Sequence, residues 1–91
     1  MELLYPRCAA LDVHKASVVA CRVRTLPDGQ KQQEIRSFGT TTPELLRLLD
    51  WLQEWGVTHV AMESTGEYWK PVYYLLEGQV IDRLQIGRAH V

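Results

Sequence analysis

The sequence lacks any strong excess of charge and any long hydrophobic run. Its 91 residues contain 10 Lys and Arg against 11 Asp and Glu, which gives a formal net charge of −1. A domain that binds nucleic acid by itself usually carries a clear basic excess, and none is present here. Charged residues interrupt every apolar run well short of the roughly 20 residues that span a bilayer, so the sequence predicts no transmembrane helix.

Cysteine is scarce, and a secretory leader is absent from the first residues. Cys8 and Cys21 belong to no CxxC pair and to no histidine cluster, so we expect buried, reduced thiols on neighbouring strands rather than a disulfide or a zinc site. Residues 1–7 carry an acid and a proline where a secretory signal has a basic start and an apolar core. These features favour a cytoplasmic protein.

What the sequence does contain is an ordinary globular composition, with 46% hydrophobic and 23% charged residues, in a chain the size of one small domain. Its patterning predicts strands at residues 7–13, 17–24, 33–38 and 57–62, with a further strand beginning within 79–84. The first three strands are short apolar or alternating segments separated by turns, which is typical of an antiparallel meander.

Two helices are predicted between and after these strands. Thr41 or Thr42 can cap the first, Pro43 fits its first turn, and Gly56 ends it. Its apolar stripe recurs at three- and four-residue spacing and consists of Leu45, Leu48, Leu49, Leu52 and Trp55. The second helix begins near residue 69 or 70 and ends at Gly78. The order β-β-β-α-β-α-(β) is that of an α/β, ribonuclease-H-like domain.

Two acids stand at strand ends in this scheme. Asp12 lies at the end of the first strand and Glu63 at the end of the fourth. If these strands are parallel neighbours, the two carboxylates converge on one rim of the sheet, where they can bind a hard divalent cation such as Mg²⁺. Such ions stabilise the attacking and leaving oxygens of a phosphoryl transfer. The alternative is that each is a solvated acid at a strand end.

Other polar residues near these acids allow two interpretations each. Ser64, Thr65 and Gly66 can hold a phosphate before the second helix, or Ser64 or Thr65 can simply cap that helix. His14 and Lys15 can contact a nucleic-acid backbone or form a solvated turn. Four aromatic residues can stack on bases: Tyr68, Trp69, Tyr73 and Tyr74. Their helical spacing favours a core position for Trp69 and Tyr73.

The segments at residues 11–15 (LDVHK) and 62–72 (MESTGEYWKPV), followed by LLEG at 75–78, resemble the N-terminal domain of the DEDD-type transposases of bacterial insertion sequences. The resemblance runs from about Cys8 to Gly78. It implies a RuvC-like, ribonuclease-H-type domain with four acids that bind divalent metal, usually Mg²⁺, and a downstream domain with a serine nucleophile. Such enzymes cut and join DNA, some are directed by an element-encoded guide RNA, and a homo-oligomer is expected.

Carried over by position, the resemblance makes Asp12 the first catalytic, metal-binding acid and Glu63 the second. The third and fourth acids are expected beyond position 91, and Asp82 is not assigned as a substitute. Residues 86–91 (IGRAHV) match the translation of a common sequencing adaptor. We therefore expect a partial RuvC-like catalytic domain over residues 1–85 and a non-native tail over 86–91.

The sequence thus predicts an N-terminal transposase fragment that is inactive alone, because two carboxylates cannot fix two ions. A truncated sheet is also expected to leave Trp51, Trp55 and Trp69 partly exposed. Two alternatives stay open. One is a stand-alone ribonuclease-H-like nuclease or resolvase, which needs further acids such as Glu67, Glu77 or Asp82 beside Asp12. The other is a non-catalytic nucleic-acid-binding module, in which Asp12 and Glu63 point to separate surfaces.

Overall fold

The computed structural model describes residues 6–78 in full and the backbone of residues 83–86. Its elements follow the predicted order: β1 (Arg7–Val13), β2 (Ser17–Thr25), β3 (Lys31–Gly39), α1 (Thr42–Glu54), β4 (His59–Ser64), α2 (Trp69–Glu77) and β5 (Arg83–Ile86). Most of the proposed tail at 86–91 lies outside the described residues. Neither helix in the described part of the chain has the length and apolarity needed to cross a bilayer.

The strands form one mixed sheet in the order β3-β2-β1-β4-β5. The first three strands are antiparallel, as expected of a meander, whereas β1 pairs with β4 and β4 with β5 in parallel. The parallel pairing follows from the connection through α1, which carries the chain back to the starting end of β1. As a result, the carboxyl ends of β1 and β4 meet at the same rim.

The β2–β3 turn is set by its own residues. Gly29 has a φ of 87°, which a glycine adopts without steric cost, and the Asp28 carboxylate accepts a hydrogen bond from the Gln30 amide at 2.9 Å. The Leu26 amide donates to the Gln30 carbonyl at 2.7 Å and closes the hairpin. This bond fixes the register of the β2–β3 ladder.

Helix α1 ends as its sequence predicts. Gly56 has a φ of 66°, its amide donates to the Gln53 carbonyl at 2.9 Å, and the Val57 amide donates to the Leu52 carbonyl at 3.2 Å. This pair of bonds is the Schellman arrangement, which satisfies carbonyls that the helix leaves open. At the other end, Thr41 is the N-cap residue, but its side chain makes no capping hydrogen bond.

Helix α2 begins at Trp69, within the predicted range, but the residues proposed to cap it do not do so. Ser64 is the last residue of β4, and Thr65 pairs its amide with the Val13 carbonyl at 3.1 Å, so neither residue caps the helix. Gly66, with a φ of 56°, then turns the chain, and Tyr68 is the N-cap residue. Pro71 falls in the first turn of α2, where a backbone N–H would have no partner within the helix.

The core lies between the helices and one face of the sheet. It is built from alternate strand residues and the leucine stripe of α1, with Trp51, Trp55, Val57, Val72 and Leu76. The expectation that Trp51 and Trp55 are partly exposed is wrong, because each is only 4% exposed. Trp69 is partly buried and packs against this core.

Arg22 explains why both tryptophans are covered. Its guanidinium is 4.4 Å from the centre of the Trp51 ring and 4.1 Å from that of Trp55, and it donates to the Trp51 carbonyl at 2.7 Å. It also forms ion pairs with Glu34 on β3 and Glu54 on α1. The buried arginine therefore joins β2, β3 and α1 at the edge of the core.

Candidate metal centre at the carboxyl ends of the central strands

Asp12 and Glu63 are direct neighbours in the sheet. In the parallel β1–β4 ladder Asp12 is aligned with Glu63, one residue before each strand ends. Neighbouring strands lie about 4.8 Å apart, and aligned residues of a parallel pair have side chains on the same face. The sequence analysis expected the two carboxylates to converge if the strands were parallel, adjacent and aligned. The β1–β4 register meets all three conditions.

Both acids lie on the face of the sheet opposite the helices. Leu11, Val13 and Met62 flank them along the strands and are buried, whereas Asp12 and Glu63 are exposed. This alternation follows from the two-residue period of a strand. Strands β1 and β4 therefore present these apolar residues to the core and the two carboxylates to solvent, as a cation-binding pair requires.

The two acids share one shallow pocket on this open face. Its volume is about 190 Å³, and its remaining lining is apolar or weakly polar: Ala10, Leu11, Val19, Cys21 and Ile35. Burial raises the pKa of the Cys21 thiol above its ordinary value, so at neutral pH this side chain is an uncharged wall of the pocket. Neither cysteine takes part in a disulfide; Cys8 on β1 is buried, and Cys21 on the neighbouring β2 is partly buried.

His14 is a partner of Asp12 that the sequence analysis missed. Its Nε2 lies 3.1 Å from Asp12 Oδ2, with both side chains about half exposed. The turn that places it is closed by the His14 amide, which donates to the Ser17 carbonyl at 2.8 Å. The sequence shows only that His14 follows Asp12 by two residues at the end of β1. That spacing does not by itself distinguish a partner of Asp12 from a solvated histidine.

The other residues proposed to contact nucleic acid divide between surface and core. Lys15 is exposed, and its carbonyl accepts a hydrogen bond from the Thr40 hydroxyl at 3.0 Å. Gly66 is exposed and Thr65 is partly exposed. Ser64, by contrast, is 2% exposed and its hydroxyl donates to the Thr65 carbonyl at 3.0 Å, so its side chain does not face the rim.

The aromatic residues after Gly66 also divide into two groups. Trp69 packs against the core and meets Tyr73 edge to face, with ring centres 5.7 Å apart. Tyr68 and Tyr74 are exposed. The core assignment made from helical spacing therefore holds for Trp69 and in part for Tyr73, while Tyr68 is the exposed aromatic nearest in sequence to Glu63.

The donor set fits a hard, hydrated divalent cation. Two adjacent carboxylates offer the oxygen ligands that Mg²⁺ prefers, and Mg²⁺ usually keeps several waters with one or two protein carboxylates. Within residues 6–78 no group of three or more acidic, histidine or cysteine side chains is arranged to hold a metal. The fit is therefore to a site that these residues form in part.

The arrangement of Asp12 and Glu63 also bears on the two alternative functions, a stand-alone nuclease and a non-catalytic binding module. A stand-alone nuclease needs a third acid beside Asp12, and among the described residues neither Glu67 nor Glu77 joins the pair. Asp82 lies outside the described residues. A non-catalytic module would have Asp12 and Glu63 on separate surfaces, whereas they line one pocket.

Comparison with known proteins gives the family. The family model of the IS110-type DEDD transposases, described as a transposase, matches residues 9–90. That range spans most of the sequence, so the chain belongs to this transposase family, and the resemblance inferred from the sequence is confirmed. No curated protein matches the sequence significantly.

Solved structures give the fold. A crystal structure of the Aquifex aeolicus member of the Ppx/GppA family is 13% identical, with a TM-score of 0.50, and is matched over 90% of this chain and 35% of that chain. Another structure, from a structural study of the Aquifex aeolicus PPX-GPPA enzyme, is 15% identical, with a TM-score of 0.50, over 90% of this chain and 36% of that chain. RNase H1 from Halobacterium salinarum is 12% identical over 91% and 84%, with a TM-score of 0.42.

These likenesses concern the fold alone. The match spans about a third of the length of the Aquifex aeolicus chain in each of these two structures. The strand order, with an antiparallel meander joined to parallel β4 and β5, is that of a ribonuclease-H-like α/β domain, and the predicted fold class is confirmed.

Proposed function

We propose that this chain is the N-terminal part of the catalytic domain of a DNA transposase, which cuts and joins DNA when an insertion sequence moves. The observation that carries the proposal is the alignment of Asp12 with Glu63 on the open face of adjacent parallel strands. Membership of the transposase family supports the reaction class, and the paired carboxylates support metal dependence.

In this proposal Asp12 and Glu63 are the catalytic acids and hold divalent metal, Mg²⁺ being the expected ion. When bound, the metal supplies positive charge that stabilises the phosphoryl transfer. The His14 imidazole, 3.1 Å from Asp12 Oδ2, orients that carboxylate. The other residues that line the pocket carry no charge, so none of them competes with a cation for the two carboxylates.

DNA is the proposed partner, contacted at the rim of the sheet that carries the acids. His14 and Lys15 present donors on one side, and the Thr65 hydroxyl with the backbone at Gly66 lies on the other. Ser64 would contribute only through its backbone, because its side chain is buried. A guide RNA encoded by the element and a homo-oligomer of the complete protein are further partners proposed from family membership, and the cytoplasm is the proposed place of action.

The 91-residue chain is proposed to be inactive by itself. Two carboxylates bind a hydrated Mg²⁺ weakly and do not fix two ions for in-line chemistry. In this scheme residues 1–85 form part of the RuvC-like domain, residues 86–91 are a non-native tail, and the remaining acids and the serine domain belong to the complete transposase.

The test compares Asp12→Asn and Glu63→Gln with Asp50→Asn, which removes an exposed acid from α1, the helix on the opposite face of the sheet. In a transposition assay of the complete protein, the first two substitutions are expected to lower activity at least 100-fold, since each removes a metal ligand. Asp50→Asn is expected to leave activity within about 2-fold, as surface changes generally do.

Equal activity of Asp12→Asn and Asp50→Asn would contradict the proposal. The 91-residue chain, incubated with plasmid DNA and Mg²⁺, is expected to produce no cleavage above that of a heat-denatured sample. Metal-dependent cleavage that is lost in Asp12→Asn and Glu63→Gln would retain the site but overturn the proposed inactivity of the chain, and would favour a stand-alone nuclease.

A further inference from the structure

Strand β3 leaves one edge of the described sheet without a partner strand. It is nine residues long, pairs with β2 along its whole length without a bulge, and has no proline within it. Residues 31–37 are exposed on both faces. Proteins usually shorten, bend, interrupt or charge such an edge, because its outward N–H and C=O groups are a template for another strand. Strand β3 is not short, bulged or interrupted by proline; it does carry charged side chains, Lys31, Glu34 and Arg36, and these are of both signs.

The β2–β3 hairpin determines which backbone groups point outward. The Leu26 amide donates to the Gln30 carbonyl, so this pair and every second pair along the ladder exchange hydrogen bonds across to β2. The register then directs the even-numbered residues of β3 toward β2, among them Glu34 opposite Arg22 and Arg36 opposite Ala20. The backbone groups of Lys31, Gln33, Ile35 and Ser37 therefore face outward.

We propose that this edge is a homodimer interface, in which β3 pairs antiparallel with β3 of a second copy across a twofold axis at Ile35. The outward N–H and C=O groups of Ile35 then bond to those of Ile35 in the second copy. Gln33 pairs with Ser37 of the second copy in the same way. Two five-stranded sheets join into one continuous sheet, and no backbone bond to β2 is broken.

The side chains of β3 are self-complementary in this register. Glu34 lies opposite Arg36 of the second copy, and the twofold axis repeats that pair. These are pairs without hydrogen bonds between their backbones, in which side chains lie closest. A shift of the axis to Gln33 places Glu34 opposite Gln32, and a shift to Ser37 places Arg36 opposite Phe38. The Ile35 axis is also the register that pairs all nine residues of β3.

Ile35 itself supports the same arrangement. It is 66% exposed on the open face, beside Cys21 on β2, and Val19 on that face is 38% exposed. Ile35 lines the acid pocket but is not part of the hydrophobic core of the described residues. Across the proposed axis, the two Ile35 side chains contact each other and remove apolar surface from water.

The dimer also has a consequence for the acid pairs, although its own basis does not depend on the proposed function. The twofold axis is perpendicular to the sheet, so the open faces of both copies lie on the same side. Asp12 is level with Ser37 through the ladder, and five strand spacings separate the two copies of β1. The two Asp12–Glu63 pairs therefore lie roughly 30 Å apart on one surface.

The first test is the mass of the 91-residue chain by sedimentation equilibrium over a range of concentrations. The wild type is expected to approach twice its 10.5 kDa chain mass. Ile35→Lys, which sets like charges against each other at the axis, is expected to remain monomeric. Val19→Lys is the matched control, because it changes the same open face one strand inward and should leave the edge-paired dimer intact. Circular dichroism confirms that each variant is folded.

A monomeric wild type at every concentration would overturn the proposal, and so would a Val19→Lys variant that dissociates as completely as Ile35→Lys, since that result indicates stacking of the open faces. A second measurement fixes the register. In a Cys21→Ser background, Ile35→Cys is expected to form a disulfide-linked dimer with oxidised glutathione, because the two positions face each other within disulfide range. Gln33→Cys, which faces Ser37, should not. Equal cross-linking of the two variants would contradict the Ile35 axis.

Discussion

Asp12 and Arg22 lie on neighbouring strands but point to opposite faces of the sheet. Asp12 stands on the open face beside Glu63, with water around it, so its charge is available to a cation. Arg22 stands on the helix-covered face, where its guanidinium is 3% exposed and lies over Trp51 and Trp55. One charge is exposed to solvent and the other is packed against the core, and the two-residue period of the strands separates them.

Arg22→Ala is expected to lower the free energy of unfolding by about 2–4 kcal/mol, measured by urea denaturation. The substitution removes the ring contacts and the bond to the Trp51 carbonyl, and it leaves that buried carbonyl and part of Glu34 without their partner. The matched control is Arg47→Ala. The Arg47 side chain is 73% exposed and pairs with Glu44 on the same helix. Its expected effect is within about 0.5 kcal/mol.

An equal effect of the two arginine substitutions would contradict the structural role of Arg22.

Single residues differ in how much of their environment can be predicted from the sequence. Arg22 sits in an alternating apolar strand, and nothing in its local pattern indicates that two tryptophans 29 and 33 positions later cover it. The positions of Asp12 and Glu63 at neighbouring strand ends were identifiable, because strand ends are recognisable, while their role as metal ligands stays a prediction. The Asp12–His14 contact depends on the turn geometry and was not identifiable.

At the scale of elements, helix α1 and strand β1 were predicted best. Strand β1 has the predicted bounds, and α1 begins and ends where its threonines and Gly56 indicate. Both have strong local signals: a short apolar run bounded by turns, and an apolar stripe with a proline in the first turn and a glycine after the end.

Gly56→Ala is expected to lower the free energy of unfolding by about 1 kcal/mol, because a residue with Cβ is strained at a φ of 66°. The added Cβ would also lie 3.3 Å from Arg7 Nη1. Gly78→Ala, at the end of α2, is the matched control: its φ is −78°, and the nearest atom would be 4.0 Å away. We expect that control to be neutral or slightly stabilising. A larger loss in Gly78→Ala than in Gly56→Ala would show that the left-handed turn after α1 is not what limits the substitution.

Strands β3 and β4 were predicted with the wrong bounds, for different reasons. Strand β3 is longer at both ends than residues 33–38, because its polar residues are held by pairing with β2 and not by burial. Strand β4 begins at His59 and continues through Ser64, because Glu63 and Ser64 pair with Asp12 and Val13. Long-range pairing sets both boundaries, and a local pattern does not contain it. The strand predicted to begin within residues 79–84 corresponds to β5, Arg83–Ile86.

At the scale of the whole molecule, the sheet is covered by helices on one face and carries the acid pair on the other. The described residues complete the hydrophobic core with both tryptophans of α1 buried, so the truncation expected from the sequence does not expose that core. What stays open is the face that carries the acid pair and one strand edge. The net charge of the chain is close to zero, and the lining of the acid pocket contains no basic residue.

The central claim is that Asp12 and Glu63 together form a cation site. The most direct measurement is a Mg²⁺ titration of the ¹⁵N-labelled chain by NMR, following the amide signals of residues 11–15 and 62–66. We predict saturable shifts confined to these two segments, lost in Asp12→Asn and in Glu63→Gln and retained in Asp50→Asn. Shifts that are absent from both segments, or that persist unchanged in Asp12→Asn, would contradict the claim.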